Sequence, residues 1–152
     1  MDPVAFKLRT KLCFGDKIII RYNAPEEYPQ FSINLVDKSN DIILHFNPRY
    51  ENDVNNNKKL VLNNCINKKW QKEVWHNVTD DLRGEKTVVI DAQPHAFMIT
   101  AADDVIYDFP MRVPVMTCTG INIVNGIFIN VEHQKPVKPE YVTVAQFPDS
   151  RK

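Results

Sequence analysis

The run Ile42-Ile43-Leu44-His45-Phe46-Asn47-Pro48-Arg49 alternates apolar and polar side chains. Side chains two apart on a β-strand share a face. Ile42, Leu44 and Phe46 therefore point one way, toward a core, and His45, Asn47 and Arg49 point the other. Residues 30–36 repeat the pattern, with Ile33 and Leu35 inward and Ser32 and Asn34 on the polar face. Pro48 lacks an N–H, so it belongs near a strand end or an edge, where no ladder bond is donated. A merely solvated face would carry Lys, Glu and Thr rather than His, Asn and Arg. The plainer alternative is that His45 and Arg49 bridge neighbouring strands.

Outward from this run the chain reads as short strands from end to end. Candidates are 6–12, 17–22, 30–36, 42–49, 59–63, 73–78, 87–91, 96–101, 104–109, 115–119, 121–124 and 127–131. They are rich in Ile, Val, Phe and Thr, and turn residues separate them, the signature of an all-β sandwich or barrel. No long window sustains helical periodicity. Asn125-Gly126, between two alternating runs, predicts a two-residue hairpin, because a type I′ turn needs positive φ at both central positions. Gly15-Asp16, residues 37–41 and residues 102–104 read as further turns. Residues 52–57 read as a polar, flexible connection.

Composition narrows the class. At 152 residues the chain predicts one domain. Its 43% hydrophobic content argues against disorder. With 19 basic and 19 acidic residues there is neither the basic excess nor the stripe of a nucleic-acid binder. No apolar run approaches the roughly 20 residues of a membrane span. Cys13, Cys65 and Cys118 are odd in number and have no paired spacing, so free thiols in a reducing compartment are expected, with no zinc site. His76, His95 and His133 also lack ligand spacing. The N-terminus has no signal-peptide pattern. The expectation is a cytoplasmic protein, or one secreted by a route that needs no such signal. Without that signal the Asn77-Val78-Thr79 sequon is expected to stay unmodified.

The polar trio, together with Asn63, Trp70 and Glu73, suits a sugar of the galactose type. An axial hydroxyl can both donate and accept. A neutral imidazole, an amide and a guanidinium offer complementary groups around it. Asn63 and Glu73 can each accept from a primary hydroxyl. Trp70 offers a flat apolar surface to the sugar's C–H face at low entropic cost.

His45, Asn47, Pro48, Arg49, Val61, Asn63, Trp70 and Glu73 resemble the carbohydrate-recognition motif of the galectins. The likeness extends over residues 4–132: 31–35 resembles the strand before the motif, Leu82-Arg83-Gly84 a family turn, and 96–112 and 121–131 the later strands. It implies a jelly-roll-like sandwich of two antiparallel sheets, with no metal, no cofactor and no catalysis, that binds β-galactosides such as lactose or N-acetyllactosamine. In that reading His45, Asn47 and Arg49 hold the galactose 4-hydroxyl, Asn63 and Glu73 the 6-hydroxyl, and Trp70 is the platform. Arg49 and Glu73 also reach the next sugar. The family usually has Arg two residues after the Glu; here Trp75 stands there. The substitution weakens or alters recognition of the second sugar, extends the aromatic platform, or only covers core. Trp75, Asn34 and Ser32 are the candidates for a second-sugar subsite.

Residues 133–152 form a tail: a linker, an added edge strand built on 141–147, or a segment that pairs with another copy. The terminal strands are where galectins commonly dimerise, so a homodimer is open. Two rival functions remain. One is a galectin-like structural or protein-interaction module. The other is a glycosidase, which needs two carboxylates about 5–10 Å apart, whereas Glu73 has no evident partner.

Overall fold

The computed structural model describes residues 1–50 and 58–136. The expected connection at 52–57 and the strand-like run at 141–147 lie outside the described residues. Twelve strands follow in chain order: β1 (Val4–Lys7), β2 (Lys17–Ala24), β3 (Ser32–Asp37), β4 (Ile42–Arg49), β5 (Lys59–Ile66), β6 (Lys69–Trp70), β7 (Val74–Asn77), β8 (Gly84–Ala92), β9 (Ala96–Thr100), β10 (Ile106–Pro110), β11 (Cys118–Val124) and β12 (Ile127–Gln134). One sheet runs β1-β11-β3-β4-β5, and both β6 and β7 pair with β5; the other runs β10-β9-β8-β2-β12. All these pairings are antiparallel. The fold is the expected jelly-roll-like sandwich. Among the described residues no helix is long and apolar enough to cross a membrane.

Alternation puts one face of each sheet into a shared core. Ile18, Ile20 and Tyr22 of β2 meet Leu44 and Phe46 of β4 there, with Leu60 and Leu62 of β5, and all are fully buried. At about 25 cal/mol per Å² of apolar surface removed from water, this burial is the main stabilising contribution. The outward side chains of β3, β4 and β5 are then left on one open face.

Pro48 sits inside β4, opposite Leu60 of β5, with a sheet neighbour on each side. Its own polar edge faces β3, where the Phe31 N–H donates to the Pro48 carbonyl at 3.4 Å. A regular ladder would return a bond from residue 48 to the Phe31 carbonyl, which proline cannot make. The Asn47 side-chain amide donates to that carbonyl instead, at 2.7 Å. Phe31 lies just before the start of β3, so the strand-end placement expected of Pro48 is met on the β3 side only.

The Asn125-Gly126 hairpin does not form. β11 and β12 belong to different sheets, so this turn crosses the sandwich edge. Asn125 has φ of 61° and its Nδ2 donates to the Gln30 carbonyl at 3.1 Å, but Gly126 is not among the residues with positive φ. Glycine is needed here for close approach: a Cβ would lie 2.7 Å from Ile123 Cδ1 and 3.0 Å from the Asn23 carbonyl. Among the described residues, the two-residue turn with both φ positive is Asn67-Lys68 (52° and 66°), joining β5 to β6. Asn67 N–H donates to Asp41 there, at 2.9 Å. The expected strands at 115–119 and 121–124 are a 3₁₀ turn (Val115–Thr117) and one bulged strand, β11.

The end of β12 is held by the buried Asp16. Its carboxylate accepts from His133 Nε2 at 2.7 Å, Lys135 Nζ at 2.8 Å and the Cys13 N–H at 2.9 Å. Burial alone would raise its pKa, but the bonds from Lys135 and His133 outweigh that and hold it below the usual carboxylate range.

Gly126→Ala tests the crossing turn. The added methyl group meets backbone and a packed side chain, so a loss of about 1–3 kcal/mol is expected, read as a lower urea midpoint at unchanged slope.

Candidate functional site

Cross-strand register assembles the polar face into rows. Asn122 of β11 pairs with Asn34 of β3, Asn34 with His45 of β4, and His45 with Asn63 of β5. In the next row Asn47 pairs with Val61, and Val61 with Trp75 of β7; in a third, Arg49 pairs with Lys59, and Lys59 with Asn77. Residues in one row share a face. The edge beyond β5 is split: β6 and β7 are two short strands separated by residues 71–73. The split carries Trp70 opposite Cys65 and Glu73 toward Arg49.

The amides along the rows are bonded to one another. Asn34 Nδ2 donates to Asn122 Oδ1 at 2.8 Å and to Ser32 Oγ at 3.2 Å, which leaves Asn34 Oδ1 to accept from His45 Nδ1 at 2.6 Å. The proton of a neutral His45 is thereby placed on Nδ1, and Nε2 is an acceptor. Asn47 Nδ2 donates to Phe31 O and, at 3.1 Å, to Gln30 Oε1. Asn47 Oδ1 accepts from Arg49 Nε at 2.8 Å, and Arg49 Nη2 reaches Glu73 Oε2 at 3.2 Å. Trp70 is 53% exposed, and its ring centroid lies 4.5 Å from that of His45. The result is an apolar wall beside a row of fixed donors and acceptors.

His45 stays neutral to unusually low pH. Burial disfavours the imidazolium and Arg49 adds like-charge repulsion; a hydrogen bond with Asn47 works the other way, and the pKa falls to about 4. Among the described residues no group of three or more His, Cys, Asp or Glu is placed to hold a metal ion.

Residues 3–133 match the sequence pattern of the galactoside-binding lectins. The chain belongs to that family. It is 26% identical over 138 residues to a 32 kDa beta-galactoside-binding lectin of Haemonchus contortus, a match covering 86% of this chain and 47% of that protein. A namesake from Caenorhabditis elegans is 25% identical, with 86% and 48% covered. The chain thus spans about half the length of the curated relatives it matches. Among solved structures, toad ovary galectin in complex with thio-digalactose superposes with a TM-score of 0.75 at 24% identity, covering 87% of this chain and 98% of that one. Xenopus laevis galectin-Va gives 0.76 at 23%, covering 88% and 97%. These structures share the two-sheet fold.

Of the galectin-like residues in this chain, His45, Asn47, Arg49, Asn63, Trp70 and Glu73 come together on one face. Trp75 does not join Asn34 and Ser32. It stands on β7 and they stand on β3, with β4 and β5 between, about 14 Å away at the ordinary strand spacing. Asn34 and Ser32 back His45; Trp75, 54% exposed, carries Lys59 Nζ 5.0 Å from its ring centroid. The role of Asn63 also changes. Its Oδ1 already accepts from Asn64 N–H at 2.8 Å and from Arg112 at 3.3 Å, and its Nδ2 donates to the Gln71 carbonyl at 2.9 Å. What it can offer a ligand is an N–H, a donor rather than the expected acceptor.

Sequence reading missed two contributors. Asn122 had a signal, as the polar residue between Ile121 and Ile123 of an alternating run. Arg112 had none, because its contacts lie 40–49 positions away.

The depressed His45 pKa has a direct consequence. The unfolded ring titrates near 6.5 and the folded one near 4, so between these values the unfolded chain binds more protons. Stability is full above about pH 6.5 and falls as pH drops toward 4. Urea titrations at pH 7 and pH 5 should show this loss in the wild type, and a smaller one in His45→Asn.

Proposed function

We propose that this face binds β-galactosides of the lactose or N-acetyllactosamine type, without catalysis. The observation that carries the reading is the exposed Trp70 ring beside a neutral His45 and the Arg49–Glu73 pair. A pyranose with an axial hydroxyl presents polar groups on one side and C–H groups on the other, and needs both surfaces at once. His45 Nε2 and the remaining lone pair of Asn47 accept, Arg49 donates with its remaining N–H groups, Asn63 donates, and Glu73 accepts. Glu73 is already paired with Arg49, which supports a binding role over that of one of the two carboxylates of a hydrolase.

Each neutral hydrogen bond contributes about 0.5–1.5 kcal/mol net and each charged one about 1.5–3. Ordering of the ligand offsets much of that, so micromolar to millimolar affinity for one disaccharide is expected. Trp75, with Lys59 over its ring and Val61 opposite, is the proposed contact for the second sugar. It replaces a charge-assisted donor with apolar surface.

Among the described residues β1 is an edge strand, and with Val4 and Phe6 exposed it supports edge-to-edge pairing of two copies. Three free cysteines, two of them buried, support a reducing, cytoplasmic setting, with secretion by a signal-independent route as the extension.

Calorimetry with lactose, and with maltose as control, tests the reading: heat with lactose alone is expected, and no heat with either overturns it. Trp70→Ala should weaken lactose binding at least about tenfold, as loss of a stacking contact requires, with little change in the thermal transition. Trp75→Arg should strengthen lactose binding more than methyl β-galactoside binding; equal effects would remove Trp75 from the second-sugar subsite.

A further inference from the structure

Arg112 follows β10, a strand of the sheet opposite the site, yet it reaches across to β5. Its Nη1 lies 3.3 Å from Asn63 Oδ1, 3.0 Å from Asn64 Oδ1 and 2.9 Å from the Lys72 carbonyl. The guanidinium carbon stands 4.6 Å from the Phe109 ring centroid, a stacking contact that fixes the fork in place.

These three oxygens belong to one local problem. The edge strand opposite β5 is interrupted at residues 71–73, and the interruption needs partners for its backbone. Gln71 N–H donates to the Asn64 carbonyl at 3.0 Å, Asn63 Nδ2 donates to the Gln71 carbonyl at 2.9 Å, and Arg112 takes the Lys72 carbonyl. Arg112 thereby holds the chain between Trp70 and Glu73. It also settles the Asn63 amide: with Arg112 and the Asn64 N–H both donating to Oδ1, the amide cannot turn its oxygen toward a ligand without two donors losing their acceptor.

We propose that Arg112 is a positioning residue for recognition of the galactoside's primary hydroxyl, acting through the orientation of the Asn63 amide and the seating of residues 71–73. The proposal rests on the galactoside reading above. It names a specificity determinant outside the strands that carry the other site residues.

The test titrates Arg112→Gln and Arg112→Lys with lactose and with its analogue lacking the galactose 6-hydroxyl. Arg112→Gln should lower lactose affinity about tenfold and leave the 6-deoxy analogue within about twofold, since one or two hydrogen bonds to a single hydroxyl are at stake. Arg112→Lys keeps the charge but not the fork, and should give the same ligand pattern with a smaller loss. In an Asn63→Ala background, Arg112→Gln should shift the ratio of the two affinities less than it does in the wild type, the remainder coming through residues 71–73. Equal losses for both ligands would mean a general structural role and would overturn the proposal, as would unchanged lactose affinity. If the wild type binds neither sugar, the galactoside reading fails separately. The clamp then stands or falls on the free protein: faster exchange of the Gln71 amide and shifted Asn63 side-chain amide resonances in Arg112→Gln support it, and unchanged ones overturn it.

Discussion

A missing N–H in the middle of a sheet organises the polar face. Pro48 leaves the Phe31 carbonyl without its ladder donor, and a buried carbonyl without a partner would cost about 1–3 kcal/mol. Asn47 answers with its side-chain amide. Both N–H groups of Asn47 are then committed, to Phe31 and Gln30, so its oxygen must face the other way, where it accepts from Arg49. Arg49 in turn reaches Glu73 on the segment between β6 and β7. One proline thus sets the direction of an amide, a guanidinium and a carboxylate in sequence.

The same logic governs the row beside it. Asn34 and Asn63 are buried, and a buried amide is tolerable only when it is hydrogen-bonded. Asn34 is satisfied by Asn122, Ser32 and His45; Asn63 by Asn64, Gln71 and Arg112. His45 belongs to this network as a neutral ring, because burial and the Arg49 charge both disfavour its protonated form. Side chains locked by such bonds need little reordering when a ligand arrives. For the proposed ligand, modest affinity at one site is expected, with selectivity set by the fixed directions of the donors and acceptors.

Much of this was legible from alternation alone. Leu44 to Arg49 put the right residues on the right faces, because the inner face there is Leu and Phe; the alternation fails at its start, where a register shift between Ile42 and His45 leaves Ile42 half-buried and puts Ile43 in the core. The Asn125-Gly126 dipeptide misled for a physical reason: glycine serves close approach as well as positive φ, and only coordinates separate the two uses. The turn that does require positive φ at both positions, Asn67-Lys68, carried no such flag, since lysine rarely adopts that conformation. Sequence places residues on faces but does not order strands, so it does not separate Asn34 and Ser32 from Trp75; β4 and β5 stand between them. Arg112 escaped notice because its work is a long-range contact from the opposite sheet.

The proposed seat of a β-galactoside is the polar face built on His45, Asn47 and Arg49 and walled by Trp70. Amide and indole resonances of the 15N-labelled protein, followed during a lactose titration, test it most directly. Saturable shifts are expected at His45, Asn47, Arg49, Asn63 and the Trp70 indole, with the amides of β2 and β8 in the opposite sheet silent. Shifts centred on the β2–β8 sheet, or none at saturating lactose, would contradict it.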